Sequence, residues 1–298
     1  MRDAIRAEAV PPDHTPSVLE ALCNALRGER GVVGDSDDVT RRNCAQALGT
    51  ACKAGIVSQA WEDRVVGALC GALRESDSSA ADPVGETRQT CAWALALAYD
   101  MESMSGAWQN RVTGALCGAL RGSDGSSADS HDDTRRICAW ALSQACKGGK
   151  VPEGWRGRVC GALCDALRGS DGSEEDPHDD VRHFCVWALK EALKAGVVPE
   201  TCQDRVFGAL CGALRGLNGE APDPCDPTRQ HCGIALGSAF EAGHVPEAWQ
   251  SRVVEALCGA LRGSDGSAAD SSDVTRGNCA LALSEACKGR KVPPTCAD

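Results

Sequence analysis

The stretch DPHDDVRHFCVWAL, residues 176–189, decides the fold because its key letters return every 47 residues along the chain. Each of six copies carries an aspartate that is followed six residues later by an arginine. The aspartate column is Asp35, Asp82, Asp129, Asp176, Asp223 and Asp270. The arginine column is Arg41, Arg88, Arg135, Arg182, Arg229 and Arg276. A repeat this regular predicts a stack of near-identical units that bury their apolar faces only against their neighbours.

Six units of 47 residues fill the chain between residue 11 and residue 292. Because such a stack grows by addition and has no fixed core size, we expect residues 1–298 to form a single solenoid. The repeats are residues 11–57, 58–104, 105–151, 152–198, 199–245 and 246–292. Residues 1–10 resemble the end of a repeat and residues 293–298 resemble the start of one, so both are interpreted as partial units.

Each unit contains the signals of two helices. Residues 152–169 have a proline in the first turn, apolar residues three and four apart, and a glycine at the end, which are typical start and stop signals. A second helix is predicted from about Asp180 to Lys194, with Gly196 after it. Two antiparallel helices form an αα-hairpin. The Gly/Ser/Asp segment between the helices, residues 122–129 in the third copy, lacks the spacing of a calcium loop and is interpreted as a solvated linker.

The charge balance limits the classes of partner. The formal net charge is −11, from 31 Lys and Arg against 42 Asp and Glu. Non-specific affinity for nucleic acid comes mainly from Lys and Arg, so this balance argues against a general phosphate-binding surface. No apolar run approaches the ~20 residues that span a bilayer, and the N-terminus lacks a signal segment, so no membrane partner is expected.

The cysteines follow the repeat. Of 19 cysteines, twelve fall in two columns on apolar helix faces, which predicts small buried hydrophobes and not disulfides or metal ligands. The first column is Cys23, Cys70, Cys117, Cys164, Cys211 and Cys258, and the second is Cys44, Cys91, Cys138, Cys185, Cys232 and Cys279. This many thiols favour a reducing compartment, cytoplasmic or nuclear.

The aspartate and arginine columns, with a small-residue Ala-Leu helix after them, resemble the HEAT repeat. The residues that match it best are Asp176, Pro177, Val181, Arg182, Ala188 and Leu189. The resemblance covers about 95% of the chain, because all six copies carry the aspartate, the arginine and the Ala-Leu pair. It implies an all-α, right-handed α-solenoid in which the two columns form a hydrogen-bonded ladder between adjacent units. We assign that ladder a structural role.

Residues 135–144, RRICAWALSQ, are also similar to the third helix of armadillo repeats of the importin-alpha type. In that family a tryptophan and an asparagine one turn apart grip an extended peptide. Trp140 matches the tryptophan, whereas Gln144 stands where the family has asparagine. The likeness implies that this helical face is used for binding.

Differences between the copies locate the candidate site. The first helix barely changes, but three columns of the second helix vary at offsets of 0, 3 and 7, which lie on one helical face. We expect this face to line a concave groove and to bind a partner. Its residues are Asn43, Gln46, Thr50, Thr90, Trp93, Leu97, Ile137, Trp140, Gln144, Phe184, Trp187, Glu191, His231, Ile234, Ser238, Asn278, Leu281 and Glu285.

Two tryptophan columns receive different interpretations. Trp93, Trp140 and Trp187 lie in the variable face, where clustered aromatic rings are typical of partner binding. The alternative is that this face drifts freely and that these rings pack between units. A second column at the start of the first helix is interpreted as packing between units and contains Trp61, Trp108, Trp155 and Trp249.

No catalytic motif is found. The sequence has no glycine-rich phosphate loop, no Gly-x-Ser-x-Gly and no His-Glu-x-x-His, so we expect no enzyme activity, no metal and no cofactor. His231 and Cys232 are neighbours on a helix and point apart. The first hypothesis is a non-enzymatic scaffold that binds a peptide or protein segment. The alternative is a modular reader of single-stranded nucleic acid, and an enzyme accessory rests on fold analogy alone.

Overall fold

The computed structural model describes residues 11–27, 34–74, 81–99, 105–122, 128–169, 174–216, 221–262 and 269–288. These residues hold twelve α-helices, preceded by a 3-10 turn at Pro12–His14, and no strand. The helices are α1 (Thr15–Arg27), α2 (Asp38–Lys53), α3 (Gln59–Leu73), α4 (Gly85–Ala98), α5 (Gly106–Arg121), α6 (Asp132–Lys147), α7 (Glu153–Arg168), α8 (Asp179–Lys194), α9 (Glu200–Arg215), α10 (Asp226–Glu241), α11 (Glu247–Arg262) and α12 (Asp273–Lys288). The all-α prediction is confirmed.

The helices form six hairpins in the register of the repeat. Odd-numbered helices are the first helices of the hairpins and even-numbered helices are the second, and successive second helices begin 47 residues apart. The partial units expected at residues 1–10 and 293–298 lie outside the described residues. So does most of the linker expected at residues 122–129, of which residues 123–127 are not described.

The structure divides the chain into two compact units. The first takes Met1–Ala145 with Lys150–Trp155, and the second takes Cys146–Gly149 with Arg156–Asp298. In the first unit, α2 packs on α4, and α1 and α5 each pack on α3. In the second unit, α10 packs on both α8 and α12, and α9 packs on α11. Each unit therefore has one layer of first helices and one layer of second helices.

Small residues let the second helices approach each other closely. A Cβ built on Gly49 of α2 would lie 2.7 Å from the Cα of Ala94 in α4. A Cβ on Gly237 of α10 would lie 3.1 Å from the Cα of Ala282 in α12. Contacts this short between backbones require glycine on one helix and alanine on the other.

The core is built from leucine, alanine, valine and cysteine. Cys91, Cys138 and Cys232 have no exposed surface. The 18 cysteines of the described residues are free thiols, and most of them are buried. Burial raises the pKa of Cys70 and of Cys211 to about 12, so these thiols stay protonated at neutral pH. The prediction that the two cysteine columns are small buried hydrophobes is confirmed, with Cys258 half-buried as the exception.

The expected ladder is present within each unit. In the first unit, Arg41 Nε–H donates to Asp82 Oδ2 at 2.6 Å, and Arg88 makes the equivalent bond to Asp129 at 2.6 Å. In the second unit, Arg182 donates to Asp223 at 2.7 Å. Arg229 and Asp270 repeat the arrangement. The hydrogen bond to Asp82 raises the pKa of the Arg41 guanidinium further above its ordinary value.

Each ladder aspartate also closes its own hairpin. Its backbone N–H donates to the carbonyl of an alanine ten residues earlier in the first helix, as in Asp129 N–H to Ala119 O at 2.8 Å. Its Oδ1 accepts the N–H two residues later, as in His131 N–H to Asp129 Oδ1 at 2.9 Å. The backbone closure recurs in all six hairpins at Asp35, Asp82, Asp129, Asp176, Asp223 and Asp270. This backbone hydrogen bond therefore links the first and second helices at the same position in every hairpin.

Two tryptophans of the first-helix column, Trp155 and Trp249, pack between hairpins, as predicted. The ring of Trp155 lies 2.9 Å from the position that a Cβ on Gly114 would take. Trp249 stacks on Phe207 of the preceding hairpin, with ring centroids 5.9 Å apart, and its Nε1–H donates to Asp204 at 2.5 Å. Trp108 is fully buried.

Candidate partner-binding face

The three variable columns lie on the second helices α2, α4, α6, α8, α10 and α12, and together we call them the variable face. Three of its side chains are exposed, namely Leu281 at 68%, Trp187 at 36% and Asn43. The half-buried members are Gln46, Thr50, Thr90, Trp93, Ile137, Trp140, Gln144, Phe184, Glu191, His231, Ile234, Ser238, Asn278 and Glu285. Most of the variable face is thus at least partly open to solvent.

Leu97 differs from this pattern. It is only 8% exposed, and it lies between Ala96 and Ala98 in the last turn of α4, which is buried on all sides. Other copies carry threonine, glutamine, serine or glutamate in this column, and these polar residues favoured the prediction that the column is exposed to solvent. A leucine in the same place removes its apolar surface from water. Leu97 therefore belongs to the core and is left out of the proposed binding surface.

The second unit contains an aromatic cluster formed by His183, Phe184 and Trp187 of α8 with His231 of α10. Trp187 stacks on His231 with ring centroids 5.7 Å apart and planes at 18°, and on Phe184 at 6.3 Å, also at 18°. His183 meets His231 edge to face at 4.3 Å. Offset stacks and edge-to-face pairs at these separations are favourable ring arrangements. The variable columns of two successive hairpins are therefore in direct contact here.

The two histidines of the cluster have different environments. The Nδ1 of His231 lies 2.9 Å from the carbonyl oxygen of Pro227, the geometry of an Nδ1–H donor. Burial lowers the pKa of His183 below its ordinary value, and the neighbouring His231 lowers it further. The lowered pKa favours the neutral imidazole of His183 at physiological pH.

Lys190 places a cation on the cluster. Its Nζ lies 5.1 Å from the centroid of the Trp187 ring, within range of a cation–π interaction, and 3.0 Å from Glu191 Oε1. The sequence prediction missed Lys190 and His183, because both lie outside the three variable columns. The spacing of three residues between Trp187 and Lys190 was the available signal, since such pairs are neighbours on a helix.

In the first unit the variable face holds Trp93 and Trp140, both half-buried. One ring atom of Trp93 lies 3.5 Å from the position of a Cβ on Gly49, so this ring partly covers the contact between α2 and α4. Trp93 therefore packs against the neighbouring helix and remains partly open to solvent. Close by in the face, the hydroxyl of Thr50 donates to the carbonyl of Gln46 at 2.9 Å.

Five arginines of the second helices that could contribute to a basic stripe for nucleic acid are engaged in other contacts. Arg41, Arg88 and Arg182 are buried in the ladder. Arg135 is also buried, and its Nη1–H donates to Asp129 O at 2.8 Å. Arg136 pairs with Asp133 at 2.6 Å. A stripe of arginines open to phosphates is therefore not formed by these side chains.

Two further properties of the described residues limit the kind of site present. Across the described residues, no group of three or more His, Cys, Asp or Glu is placed to hold a metal ion. None of the helices in that part of the chain has the length and hydropathy needed to cross a membrane.

Comparison with known proteins gives likeness at the level of the fold. No family model and no curated protein matches the sequence. Among solved structures, the karyopherin Kap121p bound to the SUMO protease Ulp1p matches with a TM-score of 0.57 at 12% identity, over 96% of this chain and 26% of that chain. Kap121p bound to Nup53p matches with a TM-score of 0.56 at 15% identity, over 92% of this chain and 26% of that one.

These karyopherins are HEAT-repeat solenoids, and the present chain spans about a quarter of their length. At this identity the likeness concerns the fold alone. It agrees with the repeat columns and the ladder: the chain has the fold of a HEAT-like α-solenoid.

Proposed function

We propose that this protein is a non-enzymatic interaction scaffold that binds a peptide or protein segment along its variable face. The observation that carries the proposal is Trp187, a large aromatic side chain that is 36% exposed while its ring is held by Phe184 and His231. Rigid, partly exposed aromatic rings are typical anchors at protein interfaces, because they bury much area at little cost in conformational entropy.

The folds that resemble this one support the same reading. The solved Kap121p structures include complexes with Ulp1p, Nup53p, Ste12p and Pho4p. Those partners belong to Kap121p. What carries over to this chain is the proposal that its helical-hairpin fold serves to bind a protein segment. The free, mostly buried thiols favour a cytoplasmic or nuclear location.

We propose that the variable face of each unit contributes its own binding surface, with Trp93 and Trp140 as anchors in the first unit and Trp187 in the second. Polar members of the face, such as Asn43 and Gln144, would then select the partner by hydrogen bonds. An extended segment suits such a surface, because each hairpin offers one set of side chains at a fixed interval.

A peptide-display selection tests the proposal directly. Peptides selected on the wild-type chain are expected to lose most of their affinity for Trp187→Ala. They should keep it for Glu255→Ala, a control at an exposed position of α11 outside the variable face. Equal binding to both variants would remove the variable face from the proposed function. Selection of single-stranded oligonucleotides in place of peptides would favour the nucleic-acid alternative.

A further inference from the structure

Two columns of the repeat change together at one junction between first helices of the second unit. Cys202 of α9 lies in the column that holds tryptophan in four other copies. Cys160 of α7 lies in the column of Phe207, where the remaining copies have leucine, valine or threonine. Neither cysteine belongs to the two cysteine columns of the repeat. Both positions are cysteine at the junction between α7 and α9.

The repeat places these two positions opposite each other. Phe207 and Trp249 occupy the same two columns one hairpin later, and each pair is separated by 42 residues, since 249 − 207 and 202 − 160 are equal. The rings of Phe207 and Trp249 stack with centroids 5.9 Å apart. Cys160 and Cys202 therefore take the positions of a pair whose side chains are in contact at the next junction.

Contacts between α7 and α9 agree with this placement. The Cys202 Sγ lies 3.9 Å from the carbonyl oxygen of Gly157, which precedes Cys160 by three residues and shares its helical face. Side chains on a helix lean toward its N-terminus, so the Cys160 sulfur is directed toward the turn that holds Gly157. Burial and, next, the nearby Cys202 thiol raise the pKa of the Cys160 thiol to about 12. The two sulfurs are thus neighbours across the junction.

A third position differs at the same junction. Gly157 lies in the column of Asp204, whose carboxylate accepts the Nε1–H of Trp249. A Cβ built on Gly157 would lie 3.6 Å from the Cys202 sulfur, so a longer side chain there would compete with that sulfur for space. The acceptor is therefore missing where the tryptophan is missing, and the space is left to the thiol.

The two thiols differ in access to solvent. Cys160 is 2% exposed, whereas Cys202 is half-buried. Arg205 follows Cys202 by three residues and pairs with Asp165 of α7, which places a guanidinium at this junction. Reactive cysteines are typically partly exposed and close to cations. An accessible thiol beside a buried one is the arrangement of an attacking and a resolving cysteine.

We propose that Cys160 and Cys202 form a reversible disulfide in response to peroxide, which joins α7 to α9 covalently. The Cys202 thiolate attacks one oxygen of hydrogen peroxide, the O–O bond breaks, and the departing hydroxide takes up a proton to give water and a sulfenic acid at Cys202. The Cys160 sulfur then attacks the Cys202 sulfur. The S–S bond forms, the S–O bond breaks, and the Cys160 proton leaves with hydroxide as a second water.

Two electrons pass from the thiol pair to the peroxide, and a dithiol reductant returns them by thiol–disulfide exchange. A disulfide of this kind is compatible with a reducing compartment, where disulfides are usually transient and respond to oxidants. The proposal goes beyond partner binding, because the bond forms within the chain and needs no partner.

The disulfide would join the same two hairpins that share the aromatic cluster. The second helices of these hairpins are α8 and α10, where Trp187 stacks on His231 with centroids 5.7 Å apart. Oxidation would therefore hold the first helices together while the ring contact joins the second helices. We expect hydrogen exchange in α8 and α10 to become slower in the oxidised protein.

Peptide mapping tests the proposal on the full chain. The protein is treated with hydrogen peroxide and then with an alkylating agent, and the monomer is isolated under denaturing conditions and digested with trypsin. Residues 159–168, which contain Cys160 and Cys164, should appear linked to residues 195–205, which contain Cys202. Fragment ions should place the link at Cys160 and the alkyl group at Cys164. Dithiothreitol should remove the link.

Matched variants separate this bond from general oxidation. Cys164→Ala should keep the link, whereas Cys160→Ala and Cys202→Ser should lose it. Peroxide should raise the Tm of the wild type by about 5 °C or more and leave the Tm of Cys202→Ser unchanged. Cys211 and Cys232 are an internal control, because these neighbouring thiols are both buried and should stay unlinked.

Three results would overturn the proposal. One is oxidation of Cys202 to a sulfinic acid without any linked peptide. Another is a link that fragment ions assign to Cys164. The third is a link between Cys160 and Cys202 that occurs only between two chains and is absent from the isolated monomer.

Discussion

Arg229 and Asp270 belong to successive hairpins and are joined by two hydrogen bonds, Nε–H to Oδ2 at 2.6 Å and Nη2–H to Oδ1 at 3.2 Å. The same guanidinium donates to the backbone oxygen of Asp223 at 2.6 Å. One side chain therefore connects a hairpin to its own linker and to the next hairpin. Both charged groups are buried, and Asp270 is the buried carboxylate that compensates the Arg229 guanidinium, which also pairs with the half-exposed Asp226.

We predict that Asp270→Ala destabilises the second unit by about 3 kcal/mol, because it removes the buried carboxylate that pairs with Arg229 and leaves only the half-exposed Asp226 carboxylate as an ionic partner. The measurement is the urea midpoint followed by circular dichroism. Arg136→Ala is the matched control, since it removes a surface pair and should cost at most about 1 kcal/mol. Equal losses for the two variants would contradict the structural role of the ladder.

The two tryptophan columns should differ in their effect on stability. Trp249 is 5% exposed and packs against Phe207, so Trp249→Ala should cost about 3–5 kcal/mol. Trp187 keeps much of its ring in water, and Trp187→Ala should cost only about 1–2 kcal/mol. Thermal unfolding of both variants checks the difference. A loss of helical signal for Trp187→Ala at room temperature would show that this ring belongs to the core.

The lowered pKa of His183 predicts that acid weakens the second unit. Below the ordinary histidine value of 6.5, the unfolded chain takes up a proton that the folded chain accepts only at lower pH. The free energy of unfolding is therefore highest above pH 6.5. It falls as the pH drops from 6.5 toward the lowered pKa of His183. His183→Gln should flatten the dependence of Tm on pH between about 5 and 7. An unchanged dependence of Tm on pH in this variant would show that other titrating groups determine it.

The thiols should fall into two reactivity classes. Cys287 is exposed and Cys202 is half-buried, so alkylation of the native chain should modify both quickly. Cys70 and Cys211 have pKa values raised to about 12 by burial and should react only after unfolding, because the thiolate is the nucleophile. Peptide mass spectrometry after timed alkylation distinguishes the classes. Fast alkylation of Cys211 without denaturant would contradict the burial of this cysteine column.

Two glycines that lie inside helices should respond oppositely to alanine. Gly49→Ala places a Cβ 2.7 Å from the Cα of Ala94 and should destabilise the first unit by about 1–3 kcal/mol. A Cβ on Gly277 would meet nothing within 4 Å, so Gly277→Ala should stabilise its helix by about 0.5–1 kcal/mol. Urea midpoints of the two variants check the opposite signs. Stabilisation by Gly49→Ala would mean that α2 and α4 lie farther apart.

The repeat made most of the fold predictable. Residues that recur every 47 positions predict where the helices start, which cysteines are buried and which side chains form the ladder. They do so because every copy must pack against its neighbours in the same way. The second helix predicted from about Asp180 to Lys194 is observed at Asp179–Lys194. The Asp–Arg pairing came from the resemblance to the HEAT repeat, and its four observed rungs at Arg41, Arg88, Arg182 and Arg229 follow that pattern.

The candidate site was less predictable, because its geometry depends on residues that break the columns. Lysine occurs only once in the column of Lys190, where the other copies have glycine, alanine or serine, so the repeat gave no reason to select it. Leu97 was assigned to the variable face by its register, yet its own side chain is buried. Contacts such as that of Trp187 with His231 join different hairpins, and a helical period within one hairpin does not specify them. The partner-binding role of the face stays a prediction.

The closure from Asp129 N–H to Ala119 O has a consequence for protein engineering. It links the first helix of a hairpin to the start of the second through a backbone hydrogen bond, so the position of the second helix does not depend on the connecting peptide alone. Extra chain added there costs little loop entropy and leaves the hairpin stack in register. The chain therefore offers six equivalent insertion sites for loops, tags or whole domains, one every 47 residues.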